Sequence, residues 1–154
     1  MNGVARAIIL FISQGAYAGR FPAAPGTAGT IVGIFLYVLI KHLAPGPYFA
    51  LCILISLLGI WTAGRAEAIL GAKDSPSIVI DEIAGFLVAM FMVPTSWGFI
   101  AAGFLLFRAF DIAKPWPLRR LEKLQGGLGV MLDDIGAGMY TNFVLQAAAF
   151  FISR

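Results

Sequence analysis

The feature that most constrains this chain is a series of apolar runs joined by short polar connectors. The runs cover residues 4–13, 27–43, 48–70, 78–93, 97–113 and 135–152. Only 12% of the residues are charged, against about 25% in a soluble domain, and a soluble domain of this length could not bury so much apolar surface. The sequence therefore predicts one all-α, multi-pass membrane domain over residues 1–154, with about five membrane-embedded helices.

Two segments, residues 4–13 and 114–133, are not among these five helices and are predicted to lie at the membrane surface. Residues 4–13 are too short to span at about 1.5 Å per residue, so we expect an interfacial or re-entrant helix. This stretch has too little charge for a signal peptide, and we expect it to be retained. Pro115 disfavours helix at Lys114, and the polar segment 114–133 is predicted to contain a short surface helix around 118–124.

The basic residues predict an orientation. Nine of them fall on one side of the predicted bundle: Arg6, Arg20, Arg65, Lys73, Arg108, Lys114, Arg119, Arg120 and Lys123. Lys41 and Arg154 fall on the other side, so the positive-inside rule makes the first side cytoplasmic. Seven of the eight acidic residues lie at or just within the same side, and Glu67 lies about a turn inside the second span. We therefore predict an inner-membrane protein with one polar site facing the cytoplasm.

Two acidic pairs are candidate site residues. Asp81 and Glu82 begin the fourth apolar run, and Asp133 and Asp134 precede the last one. Acidic residues also cap helix N-termini, which would explain one acid of each pair. Carboxylates at an apolar boundary are costly unless they are paired or bind a cation, so we favour a functional role for both pairs.

A third motif combines Arg108, Asp111 and Lys114 at spacings of three residues. This spacing also suits an intrahelical ladder of ion pairs. A surface ladder would not need the following Pro-Trp-Pro, which forces the chain out of helix and sets where Lys114 projects. Arg and Lys both bind phosphate.

Several small or polar residues give weaker evidence of a functional role. Thr27 is a natural N-cap of the first span, where free N–H groups could also bind phosphate. Gly126, Gly127 and Gly129 allow either an anion-binding turn or an ordinary turn. Two further pairs of residues are assigned to packing: Gly29 and Gly33 form a GxxxG motif for close helix contact, and Asn142 and Gln146 are predicted to form interhelical hydrogen bonds.

The residues that are absent narrow the chemistry. The single histidine, His42, falls on the outer side, and the single cysteine, Cys52, falls within the membrane, which argues against histidine or thiolate catalysis. Nothing in the composition resembles a nucleic-acid-binding arm. Five carboxylates with Arg and Lys nearby suit Mg²⁺, or Mn²⁺, and a phosphate substrate, with a carboxylate acting either as base or as the nucleophile of a covalent aspartyl intermediate. A site at the membrane boundary indicates a lipid phosphate.

Four sequence blocks also carry a family resemblance: PAAPGTAGT, IVIDEIAGF, FRAFDIAKPWPLRRLE and GGLGVMLDDIGAG. In this order, from about residue 20 to residue 140, the chain resembles the bacterial phosphatidylglycerophosphatase A family. The resemblance implies a Mg²⁺-dependent inner-membrane enzyme that removes the terminal phosphate of phosphatidylglycerophosphate and leaves phosphatidylglycerol. The family's acidic motif positions correspond to Asp81, Glu82, Asp111, Asp133 and Asp134, and its basic ones to Arg108 and Lys114.

The prediction is therefore a lipid phosphatase whose five acids bind metal and take part in catalysis. Arg108, Lys114 and Thr27 are predicted to hold the substrate phosphate, while Arg119, Arg120 and Lys123 attract anionic headgroups. Two alternatives remain at this point. A divalent-cation transporter would need acids spread across the membrane depth, and a non-catalytic assembly subunit would explain the GxxxG motif but not the acids. A homo-oligomer is possible.

Overall fold

The computed structural model describes residues 2–152, and all regular secondary structure within them is helical. The helices are α1 Gly3–Ser13, a 3₁₀ turn Ala18–Arg20, α2 Pro25–Ile40, α3 Pro45–Leu70, α4 Ile80–Ala89, α5 Trp97–Ala113, α6 Leu118–Leu121 and α7 Gly127–Ile152. The all-α prediction is confirmed. Arg154, used in the orientation prediction, lies outside the described residues.

Two helices, α3 and α7, are long and apolar enough to cross a membrane. Each has 26 residues, which corresponds to about 39 Å of helix. Their outer faces expose large apolar side chains such as Leu57 on α3 and Phe143 on α7. The helix predicted at residues 4–13 is present as α1.

The predicted span over residues 78–93 is wrong in length, because α4 has only ten residues. Such a helix is about 15 Å long, half of the hydrocarbon core. Before it, the Val79 N–H donates to the Ser13 carbonyl. After it, the Asn142 amide donates to the carbonyls of Ala89 and Phe91, which confirms the interhelical role predicted for Asn142.

Helix α4 forms the centre of the bundle, with eight of its ten residues buried. It packs against α2, α3, α5 and α7. At Gly29 of α2, an added Cβ would lie 2.6 Å from Val79 Cβ, so the predicted GxxxG motif does bring α2 close to the start of α4. The Phe86 ring then contacts the edges of Tyr37 and Phe107, with centroids 6.3 Å away in each case.

The last helix begins eight residues earlier than predicted. The Gly-rich stretch predicted to be a turn is the first turn of α7, preceded by Gly126 at φ +62°. At Gly127, an added Cβ would lie 1.9 Å from the Ile60 carbonyl oxygen. This glycine therefore lets α7 cross α3 closely, and Asp133 and Asp134 lie in the second turn of the helix, so neither is an N-cap.

Candidate active site

All seven charged residues predicted for the site line one cavity of about 330 Å³. It lies at the end of the bundle where the first turns of α2 and α4 meet the end of α5 and the start of α7. The charged set is Asp81, Glu82, Arg108, Asp111, Lys114, Asp133 and Asp134. The structure therefore brings together side chains that are up to 53 positions apart in the sequence.

The elements that carry the acids explain why they converge. Asp81 and Glu82 are in the first turn of α4, where acids interact favourably with the helix dipole. Asp133 and Asp134 follow the close crossing of α7 over α3. Because Asp81, Asp133 and Asp134 are all less than 10% exposed, their carboxylates are largely removed from water.

Three of these carboxylates form a group that could hold a metal ion. One oxygen from each of Asp81, Glu82 and Asp134 lies within 4.8 Å of the others. Four buried carboxylate oxygens, on Asp81, Glu82, Asp133 and Asp134, have no hydrogen-bond partner among residues 2–152. Buried carboxylates of this kind need a cation or a proton, and a donor set made only of oxygen suits a hard divalent ion.

Asp111 and Asp133, the other two predicted metal ligands, form ion pairs in this structure. Arg108 Nη1 lies 2.6 Å from Asp111 Oδ2 and 3.7 Å from Glu82 Oε1. The Arg108–Asp111 part of the ion-pair ladder is therefore present. It leaves the guanidinium between two carboxylates at the cavity wall, while metal binding by Asp111 and Asp133 stays a prediction.

Lys114 does not continue that ladder. It ends α5 in the left-handed conformation, at φ +42°, and its ammonium group pairs with Asp133 and, at 3.3 Å, with Glu122. Burial lowers the pKa of Lys114, but the hydrogen bond and the charge of Asp133 outweigh this effect and raise the pKa above its ordinary range. Lys114 thus remains a cation at neutral pH.

Replacing Lys114 with Met should destabilise the protein by about 1–3 kcal/mol, because a buried charge on Asp133 loses its partner.

The pH dependence of this effect follows from the pKa of Lys114. Because that pKa is raised in the folded state, the stability that Lys114 contributes is fully present below its unfolded pKa of about 10.4. It is lost only as the pH rises through the folded-state pKa. The difference between wild type and Lys114→Met should therefore not decrease between about pH 6 and pH 9, and it should be smallest at the acid end, because a protonated Asp133 needs no cationic partner. Denaturant unfolding in detergent tests this, and a difference that shrinks as the pH rises within this range would contradict it.

The start of α2 differs from the prediction. Its N-cap is Ala24, with no side-chain cap, so Thr27 is not the N-cap. Pro25 occupies the first helical position, which leaves the Gly26 and Thr27 N–H groups as the first free donors of the helix. The cavity is lined by Ala24, Pro25 and Gly26. An added Cβ at Gly26 would lie 2.3 Å from Glu82 Oε1, so the helix start lies directly beside the acids.

Two acidic residues of the site were not singled out from the sequence. Glu122 pairs with Lys114, and Asp74 lines the cavity from the connector between α3 and α4. Burial raises the pKa of Asp74, although the charge of Lys114 partly opposes this effect. The Asp74 N–H donates to Glu67 Oε1 at 2.7 Å. Only the polarity of the connector, GAKDSPS, could have suggested its place in the site.

Taken together, the cavity offers carboxylate oxygens that have no hydrogen-bond partner in the described part of the chain, with two cations, Arg108 and Lys114, beside them. This arrangement can bind a divalent cation and a phosphate at the same time, and it leaves a carboxylate that can accept a proton from water.

Comparisons with known proteins agree with this chemistry. A family model described as Phosphatidylglycerophosphatase A matches residues 11–149. A Phosphatidylglycerophosphatase A from Haemophilus influenzae is 37% identical over 150 residues, covering 94% of this chain and 90% of the relative. The Escherichia coli protein of the same name is 34% identical over 137 residues, covering 87% and 79%. A Putative phosphatidylinositol-3-phosphatase from Bacteroides thetaiotaomicron is 36% identical over 148 residues, covering 91% and 92%. No solved structure matches the chain significantly.

Proposed function

Since the chain belongs to the phosphatidylglycerophosphatase A family and is thereby a phosphoric monoester hydrolase, we propose that it hydrolyses the terminal phosphate of phosphatidylglycerophosphate with the help of Mg²⁺. The products are phosphatidylglycerol and inorganic phosphate. The observation that carries this proposal is the set of four unpartnered, buried carboxylate oxygens in a cavity that also contains Arg108 and Lys114.

The residues divide into three roles. Asp81, Glu82 and Asp134 would hold the cation, which when bound supplies positive charge that offsets the charge of the phosphate. Arg108 and Lys114 would bind the phosphate oxygens, with Arg108 released from Asp111 or shared with it. The Gly26 and Thr27 N–H groups at the start of α2 would add backbone donors.

Hydrolysis also needs a group that takes a proton from the attacking water. Asp133 and Asp111 are suited to this role, because each is held by a neighbouring cation and contributes no oxygen to the three-residue metal group. Each carboxylate lies on the cavity wall and is held in place by its cation, where it could accept a proton from an attacking water. Which of the two acts is decided by comparing Asp111→Asn with Asp133→Asn in single-turnover assays.

We place this site at the cytoplasmic face of the inner membrane. The support is the family, the two apolar helices α3 and α7, and the exposed apolar side chains on their outer faces. The lipid's acyl chains would then remain in the bilayer while its headgroup enters the cavity.

The substrate assignment is tested against a second lipid, because one relative is named a putative phosphatidylinositol-3-phosphatase. Phosphate release from phosphatidylglycerophosphate and from phosphatidylinositol 3-phosphate should be compared in the same detergent micelles. We expect the higher kcat/KM for phosphatidylglycerophosphate. A clear preference for the inositol lipid would reassign the substrate.

Removing the metal tests directly whether hydrolysis requires a bound cation. With phosphatidylglycerophosphate in micelles, EDTA should lower phosphate release by at least about a hundredfold, because the uncompensated carboxylates would repel the phosphate. Excess Mg²⁺ should restore it. Full activity in EDTA would contradict a metal-dependent mechanism, and cation flux in liposomes without lipid hydrolysis would favour the transporter alternative.

A further inference from the structure

A second pocket adjoins the candidate active site on the side of the polar segment after α5. It has a volume of about 380 Å³ and is lined by residues 113–117 together with Arg119 and Arg120. We call it the arginine pocket. Lys114 lines both this pocket and the active-site cavity, so this residue lies at the boundary between them.

The two arginines differ from Arg108 in having no acidic partner. Among residues 2–152, the ion pairs of basic residues involve only Arg108 and Lys114. One N–H of Arg119 donates to the Ala113 carbonyl at 3.3 Å, and the Arg120 guanidinium carbon lies 5.9 Å from the centre of the Trp116 ring. Because a guanidinium has five N–H donors, both side chains keep donors for an anion.

The frame of the pocket is held from several sides. The Tyr140 hydroxyl on α7 donates to the Trp116 carbonyl at 3.0 Å. The Lys114 N–H donates to the Phe110 carbonyl at 2.8 Å, and Pro115 and Pro117 restrict the backbone between them. The Trp116 side chain itself is 73% exposed, as expected for a residue at a membrane–water boundary.

From this arrangement, and resting on the function proposed above, we propose that the arginine pocket binds the phosphodiester of the same lipid whose terminal phosphate occupies the active-site cavity. Phosphatidylglycerophosphate carries these two phosphates on one glycerol unit. Its headgroup would therefore lie across Lys114, with the monoester among the acids and cation and the diester at Arg119 and Arg120.

This assignment gives the pocket a part in substrate selection. Guanidinium groups bind the two free oxygens of a phosphodiester through paired N–H donors. A lipid phosphate without a diester, such as phosphatidate, could fill the active-site cavity but would leave the arginine pocket without its ligand. The enzyme would thus prefer lipids that carry a phosphomonoester and a phosphodiester in one headgroup.

The test is the double variant Arg119→Gln, Arg120→Gln, assayed in micelles of a neutral detergent with two substrates. We expect kcat/KM for phosphatidylglycerophosphate to fall at least about tenfold, the effect of losing one hydrogen bond to a charged group. The loss should appear mainly in KM. For phosphatidate the fall should be smaller than about threefold, because no diester contact is lost. Lys123→Gln is the matched control, since it removes an exposed charge from the same segment outside the pocket, and it should lower both values about equally.

Equal losses on the two substrates in the double variant would overturn the proposal and leave only a general surface attraction. The diester in the pocket can come from the substrate itself or from a neighbouring lipid. Adding phosphatidylglycerol to the micelles distinguishes these two sources. If it activated phosphatidate hydrolysis in the wild type but not in the variant, the pocket would bind a neighbouring lipid, and the assignment to the substrate would be wrong.

A binding measurement keeps this inference separate from the proposed function. Glycerophosphoglycerol, a soluble diester, is titrated calorimetrically into the wild type and the double variant, which needs no hydrolysis. Affinity should fall at least about tenfold in the variant, and equal affinities would overturn the proposal. If the wild type bound the diester but released no phosphate from phosphatidylglycerophosphate, the proposed function would fail instead.

Discussion

Asp134→Asn is expected to lower phosphate release from phosphatidylglycerophosphate by about a thousandfold, within the range seen when a positioned catalytic group is lost. Asp134 is buried, carries an unpartnered oxygen and belongs to the three-carboxylate group. The amide has nearly the same shape but supplies no negative charge to a cation. Asp81→Asn should behave in the same way, because Asp81 has the same three properties.

A thermal measurement distinguishes metal loss from misfolding. In the wild type, Mg²⁺ should raise the unfolding midpoint, because a ligand that binds only the folded state stabilises it. In Asp134→Asn this rise should disappear, while the midpoint without Mg²⁺ stays the same or increases, since a buried charge has been removed. Glu67→Gln is the control outside the cavity, and its activity should stay within about twofold of wild type. Near wild-type turnover of Asp134→Asn at limiting Mg²⁺ would refute the assignment.

The second large effect is expected at Gly138, where α7 crosses α4. An added Cβ would lie 2.3 Å from the Gly85 carbonyl oxygen, and backbone cannot move aside as a flexible side chain can. Gly138→Ala should therefore lower the free energy of unfolding by about 2–3 kcal/mol. It should also reduce activity strongly, because Asp134 and Asp81 each lie one turn before this contact.

The sign of the change makes this prediction informative. In a helix without the contact, Ala is favoured over Gly by about 1 kcal/mol, so a net loss identifies the crossing as its cause. Gly46→Ala on α3 is the matched control, because an added Cβ there meets nothing within 4 Å, and its unfolding free energy should stay the same or rise by up to about 1 kcal/mol. Denaturant unfolding and phosphate release are measured on both variants. Equal stability of Gly138→Ala and wild type would contradict the proposed close crossing.

Local sequence signals predicted some elements well. Helix α5 begins and ends at the predicted residues, 97 and 113, because Ser96 caps it by accepting from the Phe99 N–H and Pro115 prevents its continuation. Seven charged residues of the site were also predictable, although Asp74 and Glu122 were not. Buried carboxylates, Arg and Lys are so costly in an apolar chain that their positions in the sequence already indicate a site.

Long-range packing decided what the local signals could not. The lengths of the apolar runs in the sequence do not predict that α7 starts early or that α4 is short. The start of α7 depends on Gly127, which meets Ile60 of α3. The length of α4 depends on Asn142 of α7, which donates to the carbonyls at the end of α4. In each case the deciding contact joins residues more than fifty positions apart.

The sequence by itself therefore determined the all-α class and seven of the eight charged residues that line the cavity, because composition and motif spacing do not depend on the fold, but it did not single out Asp74. Only the tertiary structure separated the five acids among them into Asp81, Glu82 and Asp134, whose oxygens form a group for a cation, and Asp111 and Asp133, which lie in contact with Arg108 and Lys114. The physical reason is that a carboxylate's role depends on which charges lie within a few ångströms of it, and those distances are determined by how the helices cross.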